Sequence, residues 1–283
     1  MQLTRHQTRQ GARWAMDGAF LPPSLTLSAL LELRRDAMLQ LLTMLPPGTC
    51  TCMRCKCEPA NDEWLAPIDP LQEVWAAGVT YLRSRDARRV ESTVANVYDR
   101  VYDAARPELF LKAAGWRVVG TGVPIRIRAD SRWNVPEPEL VIVINRHREI
   151  VGYCAGNDVS SRDIEGENPL YLPQAKIYNG SCALGHGILL CESHEISNVP
   201  IRLQVERGSE TIFEGGTTTA AMKRTLSDLA EYLTLELDFP HGVFLMTGTG
   251  IVPGDEFTLQ LNDIVTIQVG PLTIRNRVSS SRG

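Results

Sequence analysis

The stretch VPEPELVIVINRHREIVGYCAGND, residues 135–158, restricts the fold more than any other part of the chain. Two apolar runs, LVIVIN and EIVGYCAGN, flank the polar turn NRHRE. Runs rich in β-branched residues on either side of a short polar turn predict an antiparallel hairpin. Glu137 and Glu139 stand at the mouth of the first, buried strand, where charge is costly. Side chains alternate along a strand, so both project from one face. Pro138 points to the other face and donates no hydrogen bond, which suits a strand start or an edge. A turn centred near His147 pairs position 139 near 155 and position 137 near 157, and Asp158 returns beside the two glutamates. Three such carboxylates repel and raise one another's pKa unless a cation holds them. Hard oxygen ligands favour Mg²⁺, with Mn²⁺ or Ca²⁺ as alternatives, over Zn²⁺. The other reading is a solvated strand entrance whose acids pair with arginines, and spacing alone leaves both open.

Composition narrows the partners. Of 283 residues, 43% are apolar and 22% charged, the balance of a globular chain with a sizeable core. A net charge of −4 with mixed signs gives no footprint for nucleic acid. No apolar stretch approaches the roughly 20 residues that span a bilayer, and the first 25 residues lack the apolar core of a secretory signal. A cytoplasmic protein is expected. Cys154, Cys182 and Cys191 read as reduced core thiols. Cys50, Cys52, Cys55 and Cys57 crowd into CTCMRCKC, dense enough for Zn²⁺ or Cu⁺. No second Cys or His pair follows at finger-like spacing, so they are expected to sit in a dispensable linker.

Residues 1–45 read as short strands followed by one helix over SLTLSALLELRRDAMLQLLTML, capped by Ser24 or Thr26. Residues 46–70 are rich in proline and polar residues and read as a linker. This divides the chain into a small N-terminal domain with its linker, 1–69, and a main domain, 70–283. Strands are expected at EVWAAGVTY, ELFLKAAG, PIRIRAD, GILLCES, IRLQVERG and ETIFEGG, and a helix over AAMKRTLSDLAEYLTLEL. Many strands and few helices give an α+β class with a β-rich core.

Between the hairpin and a glycine-rich stretch lies NDVSSRDIEGENPLYLPQAK, polar, irregular and long enough for a functional loop. It ends in Lys176, a proton-transfer candidate if it reaches the carboxylates and otherwise a surface lysine. TGTGIVPG is too short and wrongly spaced for a nucleotide-phosphate loop. Gly248 and Thr249 can instead present a backbone N–H and a hydroxyl to a substrate carboxylate. Lys112 either lines the pocket or neutralises strand-end acids. His186 reads as a packed, hydrogen-bonded histidine.

Taken in order, Glu137-Pro138-Glu139, Asn157-Asp158 through Arg162-Asp163, Leu172-Pro173…Lys176 and Gly248-Thr249-Gly250 resemble the fumarylacetoacetate hydrolase superfamily over about residues 70–275. The resemblance implies a β-rich roll behind a small N-terminal domain, assembled as a homodimer or homotetramer. It implies Glu137, Glu139 and Asp158 as ligands of Mg²⁺, and Lys176 and Thr249 facing a 2-oxo acid. The shared chemistry it implies is enolate formation.

Hydrolytic members of the family activate water with a His-Glu pair on a lid helix after a tyrosine. The matching segment here, after Tyr81, has Ser84 and Ala87 in those places, and no histidine occurs between His6 and His147. The wording of YDRVYDAARPELFLKA, NVPEPELVIVIN and IEGENPLYLPQAKIYNGSCALG is similar to the 2-keto-3-deoxyarabinonate-type dehydratases of the superfamily. That resemblance implies a lyase giving 2,5-dioxopentanoate, with Lys176 and either Glu165 or Asp86 as acid–base groups. Arg85 is a further candidate for the substrate's distal groups. The alternative is a hydrolase, decarboxylase or isomerase of acylpyruvate-like diacids.

Overall fold

The hairpin of residues 135–158 forms the centre of a mixed sheet of eleven strands. The computed structural model describes residues 1–45, 63–91 and 100–280. From edge to edge the large sheet runs Ala19–Phe20, Gly11–Met16, Gln2–Thr8, Gly187–Leu190, Ile150–Asp158, Pro138–Ile144, Val243–Met246, Glu73–Gly78 and Glu108–Ala114. Cys182–Leu184 pairs with Ile150–Asp158, and Trp64–Leu65 pairs with Gln2–Thr8. A second sheet of five strands runs Glu210–Thr218, Pro200–Arg207, Ile264–Val269, Leu272–Ser280 and Ile125–Ile127. It packs on the central hairpin, and the two sheets share one apolar core that includes Leu140, Val143, Ile201, Leu203 and Ile267. Both hairpin strands are buried along nearly their whole length, as their unbroken apolar composition requires. No helix among the described residues is long and apolar enough to cross a membrane.

The register of the hairpin departs from the expected one by a single residue, and the site depends on it. Near the turn Ile150 faces Ile144, but Gly152 rather than Val151 faces Val143. Val151 is the extra residue of a β-bulge, the usual device for shifting one strand against its partner. Beyond it Gly156 faces Glu139 and Asn157 faces Pro138. The ladder closes with the Asp158 N–H donating to the Glu137 carbonyl at 3.0 Å. Directly opposed residues share a face, so the bulge sets Asp158 on the face of both glutamates. Without it Asn157 would occupy that place and Asp158 would point away.

Several elements differ from the expectations, for identifiable reasons. The first helix is two, Leu27–Leu31 and Arg35–Met44, with Thr26 accepting from the Ala29 N–H at 3.1 Å. The break falls where the hairpin tip captures the carbonyls that would have continued the helix. The Arg146 N–H donates to Leu31, the Asn145 amide to Leu33, and the His147 ring bonds the Glu32 carbonyl. The helix expected from Ala220 begins only at Leu226, where Thr225 caps the Asp228 N–H at 3.0 Å. Met222 and Lys223 are held instead by the backbone of Tyr81 and Thr80. The polar stretch after Asp158 is not irregular but folds into the short helices Arg162–Glu167 and Leu172–Lys176.

Residues 63–70 are packed rather than linker-like. The Asp69 carboxylate accepts from Trp14 Nε1 at 3.1 Å and from the Ser28 N–H and Oγ at 2.7 and 2.9 Å. The segment Cys50–Cys57 lies outside the described residues. Cys154, Cys182 and Cys191 are buried free thiols, and burial pushes the Cys191 thiol up to about 11. His186 is hydrogen-bonded through Nδ1 to the Thr273 carbonyl at 3.0 Å and lies edge-on to Trp64.

Gly156 lets the two strands carry the carboxylates this close together. A Cβ there would collide with Val141 Cγ2 and lie 3.1 Å from Met246 Cε. Overpacking of this kind costs about 1–3 kcal/mol. Gly156→Ala is expected to lower the unfolding free energy measured in urea by that amount, through a lower midpoint at unchanged m-value.

Candidate active site

Glu137, Glu139 and Asp158 each offer an oxygen within 4.8 Å of the other two, and all three side chains are buried. A buried carboxylate must be paired, and two of these three are paired on both oxygens. Lys176 Nζ lies 2.7 Å from Glu137 Oε2, 3.0 Å from Asp158 Oδ2 and 2.6 Å from Ser160 Oγ. Arg162 Nη2 holds Glu137 Oε1 at 3.1 Å, and Lys112 Nζ ion-pairs with Asp158 Oδ1 at 2.5 Å. Glu139 accepts the Gly248 N–H at 2.6 Å. Burial first, and then Asp158 and Glu137, drive the Glu139 carboxyl well above the usual carboxylate range, against the opposing pull of Lys176 and the Gly248 N–H.

Local structure delivers each group. Lys176 ends the helix Leu172–Lys176, and Arg162 opens the helix Arg162–Glu167. Glu165, one turn after Arg162, is buried and borders the cavity beside the carboxylates. That cavity is small, about 20 Å³, room for one ion or water. Glu108, Phe110, Leu172, Val79, Ser84 and Thr249 complete much of its wall.

Three assignments from the sequence change, and one left open is decided. Lys112 is fully buried behind Asp158 and also donates to the carbonyls of Val159 and Lys176, so it neutralises a strand-end acid and does not line the cavity. The Gly248 N–H, expected to meet a substrate carboxylate, meets the protein's own Glu139. Arg85 and Asp86 do not reach the cavity. They bond each other at 2.7 Å, and the Arg85 guanidinium lies 5.0 Å from the Tyr102 ring. Successive residues on a helix point in different directions, and here the half-buried Arg85 and the exposed Asp86 turn to each other at the helix surface. Asp86 borders a separate, wider cleft of about 620 Å³ together with Tyr81, Arg83, Gly250 and Asp255.

Sequence reasoning assigned no role to Arg162 or Glu108. Arg162 is almost fully buried, and only a cavity with surplus negative charge makes that tolerable. The signal was its position four residues after Asp158. Glu108 opens the edge strand, and its carboxylate packs so closely against Gly78 that a Cβ there would overlap it. Ser84, where the hydrolases of the resemblance carry histidine, donates to the Tyr81 carbonyl at 2.8 Å.

The donor set fits a hard divalent cation. Five carboxylates (Glu108, Glu137, Glu139, Asp158, Glu165) stand in or around the cavity against three cations (Lys112, Arg162, Lys176). Ionised together they leave two negative charges in excess, which a divalent ion would cancel. Each carboxylate oxygen has a second lone pair beyond its cationic contact. The raised Glu139 carboxyl is what such a group looks like before that charge arrives.

The family model described as fumarylacetoacetate (FAA) hydrolase C-terminal matches residues 73–279. Over 216 residues the chain is 46% identical to "Probable 2-keto-3-deoxyxylonate dehydratase" of Haloferax volcanii, covering 76% of this chain and 74% of that one. Over 211 residues it is 45% identical to 2-dehydro-3-deoxy-D-arabinonate dehydratase of Saccharolobus solfataricus, covering 72% of this chain and 70% of that one. A solved structure of 2-keto-3-deoxy-D-arabinonate dehydratase complexed with magnesium and 2,5-dioxopentanoate aligns with a TM-score of 0.84 at 33% identity, covering 100% of both chains.

The raised Glu139 carboxyl has a consequence for stability. Metal-free folded protein binds that proton more tightly than the unfolded chain, so its contribution falls as pH rises from the ordinary carboxylate range to the raised value. Glu139→Gln removes the titration. In chelator at pH 8 the variant is expected to melt several degrees above wild type, with the difference vanishing toward pH 4. Calorimetry across that range checks it.

Proposed function

The chain belongs to the fumarylacetoacetate hydrolase family, and within it we propose that it is a metal-dependent lyase removing water from a 2-keto-3-deoxy sugar acid. With a pentonate substrate the products are 2,5-dioxopentanoate and water. The observation that carries this reading is the meeting of Glu137, Glu139, Asp158 and Lys176 in a cavity with no histidine among its described lining residues. Hydrolysis needs an activated water, and the Ser84 hydroxyl has no readily available basic form near neutral pH. Elimination needs only a proton taken from C3 and one delivered to the hydroxyl departing from C4. Tautomerisation then leaves the aldehyde at C5.

Glu137, Glu139 and Asp158 would hold Mg²⁺, which would supply Lewis-acid polarisation of the 2-oxo carbonyl and so acidify the neighbouring C3. Lys176 and Glu165, both bordering the cavity, exchange the two protons of the elimination. Arg162 and Lys112 fix Glu137 and Asp158 from behind, so the carboxylates do not reorganise as charge develops. The Thr249 hydroxyl, which donates to the Ile251 carbonyl at 3.2 Å, borders the cavity and orients the acid. Glu108 is placed to accept from the substrate's hydroxyls.

The same reading assigns this chemistry to residues 70–283, where every site residue lies, with residues 1–69 as an accessory unit. It also carries a cytoplasmic homodimer or homotetramer. Exposed Leu111 on the edge strand, Trp116 and Leu170 are the kind of apolar surface that a second copy covers.

Product analysis by NMR decides the reaction. With Mg²⁺ present, 2-keto-3-deoxypentonate is expected to give 2,5-dioxopentanoate, and faster release of pyruvate from an acylpyruvate would overturn the lyase. Lys176→Met is expected to lower kcat by about 10²–10⁴-fold while Mg²⁺ still raises the melting temperature, as a ligand of the folded state must. Glu139→Gln is expected to lose that Mg²⁺-dependent rise.

A further inference from the structure

Among the described residues, four other than glycine have a left-handed backbone: Asp17, Val79, Arg148 and Asn262. Asp17, Arg148 and Asn262 are exposed, in turns or bends between strands, where polar side chains commonly adopt it. Val79 is different. It is β-branched, at φ 54°, 7% exposed, and borders the carboxylate cavity. A β-branched residue in this region is a genuine outlier, because its second γ-carbon crowds the backbone. Elsewhere among the described residues glycine fills such positions, at eight places, and a glycine stands next door at Gly78.

The surroundings enforce the conformation. The Thr80 hydroxyl donates to the Thr247 carbonyl at 2.6 Å, and the Lys223 N–H donates to the Thr80 carbonyl at 2.9 Å. Gly248, itself left-handed at φ 89°, packs so tightly on Thr80 that a Cβ there would overlap its hydroxyl. These contacts hold the turn after Gly78 but need no isopropyl group at position 79. Val79 does line the cavity, where it, Phe110 and Leu172 are the bulkiest apolar residues of an otherwise polar wall.

We propose that Val79 is a specificity-determining residue, kept in an unfavourable backbone conformation so that its side chain closes the cavity on the far end of the substrate. The proposal rests on the lyase reading above. With the acid's carboxylate and 2-oxo group on the cation that Glu137, Glu139 and Asp158 would hold, the apolar wall meets the carbons beyond C3. The cavity as it stands has room for one ion or water. Every carbon beyond C3 is therefore accommodated against this wall, and a five-carbon acid asks less of it than a six-carbon homologue. A single carbon unit against an apolar wall is discriminated by about 10–200-fold.

The test compares Val79→Gly and Val79→Ala with wild type, all as full-length protein with Mg²⁺. Alanine normally stabilises relative to glycine by restricting the unfolded chain. Here the order is expected to reverse, with Val79→Gly melting above Val79→Ala, because only glycine is unstrained at this φ. The kcat/KM preference for 2-keto-3-deoxypentonate over the 2-keto-3-deoxyhexonate is expected to fall at least about tenfold in both variants. The usual melting order, or an active wild type whose preference survives in both variants, overturns the proposal and leaves the lyase intact. If wild type dehydrates neither acid, the lyase reading falls and the chain-length role with it, while the melting order still judges the strained placement.

Discussion

The ammonium of Lys176, shared between Glu137 and Asp158, is the contact on which the site depends. Three carboxylates in a cavity with room for one ion repel one another strongly, since little water is present to screen them. Lys176 joins two of them from the front, while Arg162 and Lys112 take their outer oxygens from behind. Glu139 alone is left to a backbone N–H, and its carboxyl is the one driven upward. The arrangement is therefore incomplete by about the charge of a divalent ion. A fully neutralised cluster would have no affinity left to offer, and a wholly unpaired one would unfold the hairpin mouth.

The ligands were legible because strand alternation is a strong rule. Glu137 and Glu139 share a face by parity, and the apolar run leaves no doubt that they enter a buried strand. Lys176 was legible only through its order among the other motifs, since nothing in LPQAK marks a buried lysine. The bulge was not legible at all. Val151 has the composition of its neighbours, and the extra residue becomes visible only when Gly152 is found opposite Val143. The expected register was correct at the turn and lost one residue there.

The misread residues share a different cause, which is depth. Alternation in ELFLK gives the face of Lys112 but not the presence of Asp158, 46 positions later, which lines the cavity in front of it. The charges of Arg85 and Asp86 suggest reach into the pocket, yet at the helix surface they meet each other. The break between the two N-terminal helices comes from carbonyls captured by residues 145–147, more than a hundred positions away. A local periodicity cannot anticipate such partners. The overall α+β class survived these errors because it depends on how many strands there are and not on where each helix starts.

The bulge at Val151 also divides the hairpin into two stretches with different tolerance to changes in length. On the turn side, residues 145–149 reverse the chain and hold the two N-terminal helices, so a change in the length of that tip disturbs those contacts but leaves every ligand in phase. On the other side, from Gly152 to Asp158, one inserted or deleted residue would exchange inward and outward faces for Asp158. Substitutions there act on packing, whereas a single-residue indel acts on chemistry. A spacing pattern written from Glu139 to Asp158 is therefore fragile across relatives, and one written from the bulge to Asp158 is fixed by geometry.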